Sequence, residues 1–339
     1  MKARKILKTV ILTIISLIVL IIIGLIVNNR ICYKVYSSKD TTSNSLSESE
    51  KEAVREVYEY LNENGESIFK GFDGRNIDLI VYNKKYEFLF SSKKEENGWE
   101  FIEYDESVSR NILRKEAENS EAFAVKVGDR WVGSFGTFAT YNKGIIDIIP
   151  ILFPPQIFFV DKEYYRGLFI HEMAHAFQGI IDYKRVDTDE HLHDICAKYY
   201  GNSQFQELFK LEGHYLEAAI NADSDKDIIT NAKLFLETRQ ERRIKCGMSE
   251  EEISNEIEFE WLEGLGRYAE YYASQGSSKM IVKNLLTIEK KVTTDHDDRY
   301  YVAGMAQAMV LDKISDDWQK KVFQEGSTLE ECIKSNIDK

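Results

Sequence analysis

The pentapeptide His171-Glu172-Met173-Ala174-His175 has the residue types and the spacing of a metal site with a base beside it. Residues four apart share one face of a helix, so the two imidazoles can bind a single cation. Glu172 lies about 100° around the helix from His171, close enough to reach a water on that cation without ligating it. The pentapeptide therefore predicts a Zn²⁺ site with His171 and His175 as ligands and Glu172 as the general base of a hydrolase.

The residues around this motif predict a buried helix that positions it. Asp161 is a preferred N-cap residue type, so a helix is expected over 162–181. From residue 168 onward apolar side chains occupy nearly all sides of that helix, which is typical of a helix buried between two lobes. A short strand is predicted just before it, at 156–160.

Two downstream carboxylates are candidates for the third protein ligand that a catalytic zinc site needs. Glu212 falls within an apolar helical stripe, where a carboxylate requires a cationic partner. Glu263 falls on a polar face of a helix predicted over 250–275, and plain solvation explains that face equally well. The acidic segment 187–194, which contains two histidines, is a further metal-binding alternative. The residue pattern leaves the choice open.

Further side chains are candidates for supporting roles in the same site. Tyr268 is a possible oxyanion donor, with Tyr271, Tyr272 and His214 as alternatives, although packing explains each of them too. Glu270 and Arg239 are candidates for residues that orient the ligands, and a solvated face is their ordinary alternative. The stretch 131–138 is predicted to be the strand that flanks the cleft, where an extended peptide could add by backbone hydrogen bonds.

Two segments, HEMAH at 171–175 and WLEGLGRYAE at 261–270, resemble the gluzincin metallopeptidases. In that family a HExxH helix is followed by a helix whose Glu completes the zinc shell. The resemblance implies that the two histidines are ligands, that Glu172 is the general base, and that Glu263 rather than Glu212 is the third ligand. It also implies a zincin-like fold and peptidase activity.

Residues 1–30 predict a membrane anchor. Four basic residues precede an uncharged apolar run over 10–27, and about 18 such residues can cross a bilayer core. This charge distribution predicts a cytoplasmic N-terminus and an extracytoplasmic body, with a cleaved signal peptide as the alternative. Residues 31–50 include a run rich in Ser, Thr and Asn and are predicted to be a flexible tether.

The remaining sequence predicts an α+β body. A β-rich lobe is expected over 51–160 and a mainly helical lobe over 161–339, with the metal helix at the seam. Expected strands are 77–90, 122–127 and 130–141, and expected helices are 50–64, 204–221, 226–246 and 250–275, followed by two more.

Net charge argues against two classes of binding partner, and the spacing of the Cys residues does not specify a disulfide. The net charge of −13 includes five basic residues before position 31, so the rest of the chain carries about −18. Such a surface does not suit nucleic acid or anionic lipid. The four Cys residues show no paired spacing, and a Cys196–Cys246 disulfide is only one possibility.

These features predict a membrane-anchored, extracytoplasmic zinc metallopeptidase that hydrolyses peptide bonds of a peptide or protein substrate with a zinc-activated water. One alternative is a zincin-fold binding or sensor protein of the cell envelope that lacks turnover. A second is a metal-dependent amidase that acts on cell-wall peptides. The sequence does not specify which bond is cut.

Overall fold

The computed structural model of the chain describes residues 2–38, 41–118, 120–149, 153–186, 197–278, 288–293 and 296–337. The acidic segment 187–194 and Cys196, the partner considered for Cys246, lie outside these residues. Among the described residues the helices are Lys2–Ser38 (α1), Glu48–Ile68 (α2), Phe138–Ile148 (α3), Lys162–Ile181 (α4), Tyr183–Val186 (α5), Ser203–Asn221 (α6), Asp225–Lys245 (α7), Glu250–Phe259 (α8), Leu265–Ala273 (α9), Ile288–Lys291 (α10), Asp298–Ile314 (α11), Trp318–Lys321 (α12) and Leu329–Ile337 (α13).

Helix α1 contains a stretch, Lys8–Tyr36, that is long and apolar enough to cross a membrane. The helix continues through residues 31–38, at the start of the predicted tether. The chain that follows then packs on the sheet: the Thr41 carbonyl accepts from the Lys84 N–H at 2.9 Å, and the Ser43 carbonyl accepts from the Asn83 amide at 2.9 Å. The segment predicted to be flexible is therefore helical at its beginning and hydrogen-bonded afterwards.

Six strands form one mixed sheet in the order β3-β4-β2-β1-β6-β5. They are Asp78–Tyr82 (β1), Tyr86–Ser91 (β2), Glu100–Asp105 (β3), Arg110–Glu116 (β4), Phe123–Val127 (β5) and Arg130–Gly136 (β6). Strands β1 and β6 pair in parallel, and the other neighbours are antiparallel. Among the described residues strand β5 pairs with β6 alone and is an edge of the sheet.

The main core lies between one face of this sheet and the helices. Because side chains alternate along a strand, Leu79 and Val81 of β1 face the helices while Ile80 joins a smaller cluster on the opposite face. Helix α4 runs through the main core, where it packs against β6 and β5 on one side and against α9 on another. The fold is α+β, as the sequence predicts.

Several predicted elements differ from the structure. The region predicted as a strand at 156–160 contains a short 3₁₀ helix, Pro155–Ile157, because the prolines favour turn conformations there. The strand predicted over 130–141 ends at Gly136, since Thr137 caps α3. The helix predicted over 250–275 is α8 and α9 joined by a π-helical turn, Glu260–Gly264.

Candidate metal centre

Helix α4 has the predicted bounds and carries the histidine pair into the interior. The Asp161 side chain accepts from the Tyr164 N–H at 2.9 Å and caps the helix. His171 and His175 are both buried, and only 1% of the His175 surface is exposed. Buried imidazoles need polar partners, so the groups around them indicate what this pair can bind.

The two histidines converge on one carboxylate oxygen of Glu263. The Nε2 atom of His171 lies 3.2 Å from Glu263 Oε2, and the Nε2 atom of His175 lies 3.4 Å from the same oxygen. The ligand atoms of the three residues all lie within 4.8 Å of one another. Two imidazole nitrogens and one carboxylate are the donor set of a catalytic zinc site, so this group could hold a metal ion.

The tautomer of His175 is fixed by Gln178, one turn further along α4. The Gln178 amide donates to the carbonyls of Trp261 and Leu262 at 2.8 and 3.1 Å, so its oxygen remains to accept from His175 Nδ1 at 2.9 Å. With its proton on Nδ1, His175 presents the lone pair of Nε2 to Glu263. This buried Nε2 has no hydrogen-bond donor within the described part of the chain.

His171 lies between two carboxylates. Its Nδ1 atom is 3.4 Å from Glu270 Oε2 as an ion-pair contact, and its Nε2 atom is within hydrogen-bond distance of Glu263 Oε2, at 3.2 Å. A proton on Nε2 therefore bridges His171 and Glu263. Loss of that proton would leave three convergent acceptors, a donor set that fits a divalent cation.

A local change in helix geometry brings Glu263 to this position. Glu263 lies in the π-helical turn 260–264, and such turns re-aim side chains and are frequent at functional sites. The same turn contains the two carbonyls that bind Gln178. Just beyond it, Gly266 permits the close approach of α9, because a Cβ there would lie 2.8 Å from His171 Nε2.

Glu172 is half-buried and lines a cleft of about 570 Å³ together with the three candidate ligands. Burial raises the pKa of Glu172 to about 7, the imidazoles of His171 and His175 oppose that shift, and Glu263 and Glu270 add to it. Glu172 is not one of the three residues whose ligand atoms converge. The remaining lining residues are Glu121, Ala122, Phe123, Ala124, Trp131, Leu168, Val186, Arg267, Glu270 and Tyr301.

The charged groups of the cluster strongly shift the pKa values of His171 and Glu263. Burial by itself would lower the pKa of His171, but hydrogen bonds to Glu263 and Glu270 outweigh burial and raise it to about 10. For Glu263, burial favours a higher pKa, yet the two imidazoles hold it well below its usual range. Glu263 is therefore an anion among groups that can exchange a proton for a cation.

The alternative third ligand, Glu212, lies elsewhere. Its carboxylate is buried on α6 and pairs with Arg239 and Arg242 of α7; Arg239 Nε lies 3.0 Å from Glu212 Oε2. Arg239 also binds Glu260 through both of its terminal nitrogens, at 2.7 and 2.6 Å. Arg239 contacts neither histidine nor Glu263, so of the two predicted orienting residues only Glu270 touches a candidate ligand.

Tyr268 does not reach the cleft. Its hydroxyl donates to Asp312 of α11 at 2.9 Å, and its ring packs among Phe69 and Trp318 in the core. Tyr272 also donates to Asp312, and the exposed His214 pairs with Glu289. Tyr271 does not line the cleft either. The prediction that Tyr268 is the oxyanion donor is wrong in this arrangement.

Strand β5 flanks the cleft together with Trp131, the first residue of the predicted segment 131–138. The ring of Phe123, the first residue of β5, lies 4.7 Å from that of His175, whereas β6 lies inside the sheet. Two cleft residues escaped sequence analysis: Tyr301 stacks on His171 at 6.0 Å, and Arg267 donates to Glu270 at 3.0 Å. No local sequence signal places Tyr301 here, because it comes from the distant helix α11.

Comparison of the chain with protein-family models, with curated proteins and with solved structures finds no match.

Proposed function

We propose that this chain is a zinc metallopeptidase of gluzincin type, anchored in a membrane by α1 with its body on the extracytoplasmic side. The observation that carries the proposal is the convergence of both Nε2 atoms on Glu263 Oε2, with Gln178 hydrogen-bonded to His175 Nδ1 and Glu270 lying 3.4 Å from His171 Nδ1. Polar partners behind the ligands orient them in metal sites. The adjoining cleft makes the group accessible to a substrate.

In the proposed reaction His171, His175 and Glu263 hold the ion, and Glu172 moves the proton. A bound zinc ion supplies a Lewis acid that makes a water nucleophilic near neutral pH. Glu172 would accept a proton from the water that attacks the peptide carbonyl. Glu172 then delivers the proton to the leaving amine, so that the C–N bond breaks and the carboxylic acid and amine are released.

Arg267 replaces Tyr268 as the proposed donor to the oxyanion. Arg267 lines the cleft, and its buried Nε has no acceptor within the described residues. A fixed cationic donor in a partly enclosed site stabilises charge that develops on the carbonyl oxygen. Tyr301, which stacks on His171 and lies beneath the Arg267 guanidinium at 5.2 Å, is a second donor of the right type.

Strand β5 offers a place for an extended substrate. Its outer edge has no partner strand among the described residues, and it begins at the ring of Phe123 over His175. A peptide can pair with such an edge through its backbone, which gives affinity with little side-chain specificity. This pairing would bring a peptide bond alongside the ligands.

The membrane orientation is proposed from charge. Lys2, Arg4, Lys5 and Lys8 precede the apolar stretch of α1, and positive charge collects on the cytoplasmic side of a span. The body that follows α1 then lies outside the cytoplasm. Peptides or proteins at the outer surface would be its substrates.

The test uses the full chain, purified in detergent and loaded with Zn²⁺. The protein is incubated with a diverse peptide library, and cleavage is read by mass spectrometry. Glu172→Gln is expected to lower cleavage by about 10² to 10⁴ without loss of bound zinc, because it removes the proton acceptor and keeps the ligands. Glu163→Gln, in the first turn of the same helix, is the matched control and should retain activity.

The outcomes separate the three functions. A full chain that binds no stoichiometric zinc contradicts the metal site itself. Bound zinc without cleavage of any peptide favours the binding or sensor protein. Cleavage of cell-wall stem peptides with an untouched library favours the amidase.

A further inference from the structure

Four large apolar side chains are exposed beside α1. Ile148 at the end of α3 and Phe153, Ile157 and Phe158 around the 3₁₀ helix Pro155–Ile157 each expose between 49% and 80% of their surface. We refer to these four residues as the apolar patch. Single exposed apolar residues are ordinary, whereas several together mark a contact surface.

Hydrogen bonds fix the position of the apolar patch along the length of α1. The amides of Gln156 and Asn28 donate to each other's oxygens at 2.9 and 3.0 Å, and the Asn29 amide donates to the Phe153 carbonyl at 3.0 Å. About two helical turns further on, the rings of Tyr36 and Phe159 meet at 5.0 Å. The patch thus adjoins residues 28–36 of the helix.

That level coincides with the end of the apolar run. The run over 10–27 is about 27 Å long at 1.5 Å per residue, close to the roughly 30 Å thickness of a bilayer core. Asn29 lies about 3 Å beyond its end, within the headgroup layer. Phe153, which is bonded to Asn29, is therefore held at the boundary between hydrocarbon and headgroups when α1 spans.

We propose that the apolar patch inserts into the outer lipid interface and forms a second membrane contact next to α1. The inference rests on the membrane anchoring in the proposed function. Apolar side chains stabilise a protein on a bilayer when they enter the boundary between headgroups and acyl chains. A single helix allows the body to rotate relative to the membrane. A second contact at the same depth in the membrane fixes which side of the body faces the lipid.

A lipid surface fits the patch better than a protein partner because the patch is continuous with α1. Exposed apolar residues of α1 such as Ile31 and Tyr33 lie at the same level, so patch and helix form one apolar boundary. The body is acidic overall, so attraction to anionic lipid does not drive the contact. Insertion into neutral, zwitterionic lipid is the interaction that this composition favours.

The test is photo-crosslinking of the full chain in phosphatidylcholine vesicles. A small fraction of the lipid carries a diazirine near the headgroup end of one acyl chain, and adducts are mapped by mass spectrometry after illumination and digestion. Adducts are expected on α1 and on peptides that contain residues 145–149 and 153–158. Ile244, which is 68% exposed on α7, provides a control peptide that should carry none.

A variant sharpens the result. Phe153→Ser with Ile157→Ser should reduce adducts at 153–158 several-fold while adducts on α1 persist, and Ile244→Ser should change nothing. Adducts on α1 with none on either patch peptide would overturn the second contact and leave the anchor intact. Absence of adducts on α1 as well would overturn the anchor, and the second contact with it, without bearing on the metal site.

Discussion

The cluster around His171 and the cluster around Arg242 both lie in the interior, and the segment 250–273 contributes carboxylates to each. In the second cluster, three arginines of α7 meet Glu212, Glu256, Glu260 and Glu330, and nearly every charge faces an opposite one. In the first, two imidazoles converge on one carboxylate beside an open cleft. A buried cluster with matched charges can serve the fold, whereas convergent ligand atoms beside a cleft could hold a cation.

Neutralising one carboxylate in each cluster should give the largest difference between the two clusters. Glu263→Gln should weaken zinc binding by more than about a hundredfold, the upper end of what loss of an orienting group costs, because a charged ligand is lost. Glu212→Gln should leave zinc affinity unchanged, since Glu212 pairs with Arg239 and Arg242 and lies outside the convergent group. Titration of each full-length variant against a competing chelator measures both. Equal losses would mean that the two clusters do not have separate roles.

Removal of one charge from the cluster around Arg242 should destabilise the fold. Arg242 is fully buried between Glu212 and Glu256, and Arg242→Met leaves both without this partner, at a cost of about 3–5 kcal/mol in the free energy of unfolding. Denaturant unfolding followed by circular dichroism measures it. Lys245→Met, exposed on the same helix, is the control and should change stability by less than about 0.5 kcal/mol. A neutral Arg242→Met would show that packing, not charge, supports this region.

The orienting amide should have a smaller effect on the metal site. Gln178→Leu removes the acceptor of His175 Nδ1 and should weaken zinc binding by about 10- to 100-fold. Gln275→Leu changes an exposed amide that donates to the Tyr271 carbonyl, and should have no effect on zinc. Unchanged zinc affinity in Gln178→Leu would contradict the assigned tautomer.

The smallest expected effect is on the pH dependence of stability. Burial alone would raise the pKa of Glu330, but Arg239 and Arg243 dominate and lower it to about 2. The unfolded chain then binds more protons between pH 4.5 and 2, so the stability from this group is present above that window and lost as pH falls through it. Glu330→Gln should reduce the slope by up to about 1.4 kcal/mol per pH unit.

Comparison of Glu330→Gln with the wild-type chain isolates this group. The isolation is needed because burial raises the pKa of Glu260 in the same cluster, and Glu260 gives a contribution of opposite sign. Denaturant unfolding at several pH values between 2 and 5 provides the slopes. Parallel curves for variant and wild type would mean that Glu330 is not paired in the folded state.

Local signals in the sequence predicted the metal helix but not every strand. The bounds of α4 follow from the Asp161 cap and the apolar residues after it. Strand β3 was missed because it is an edge strand whose residues are mostly exposed on both faces, so its sequence shows no alternation. The strand predicted over 77–90 is two strands, since the turn at 83–85 interrupts an otherwise continuous apolar pattern.

At the site, the sequence predicted which residues take part better than it predicted where their side chains point. The residue pattern left Glu212 and Glu263 open, and only the resemblance to the gluzincin metallopeptidases favoured Glu263. A π-helical turn has no sequence signature, so the position of its carboxylate could not be derived. Helical periodicity puts Tyr268 on the apolar face opposite Glu263, and Asp312 there accepts its hydroxyl. Gln178 could have been found from its i+3 spacing to His175 on a buried helix.

The short connection between the apolar patch and α4 limits the distance between the patch and His171. Lys162 is four positions after Phe158, and His171 is nine positions further along the helix. Extended chain spans about 3.5 Å per residue and helix 1.5 Å, so the histidine lies no more than about 28 Å from the patch. In the arrangement we propose, a membrane-bound substrate would present its scissile bond within about eight extended residues of the lipid.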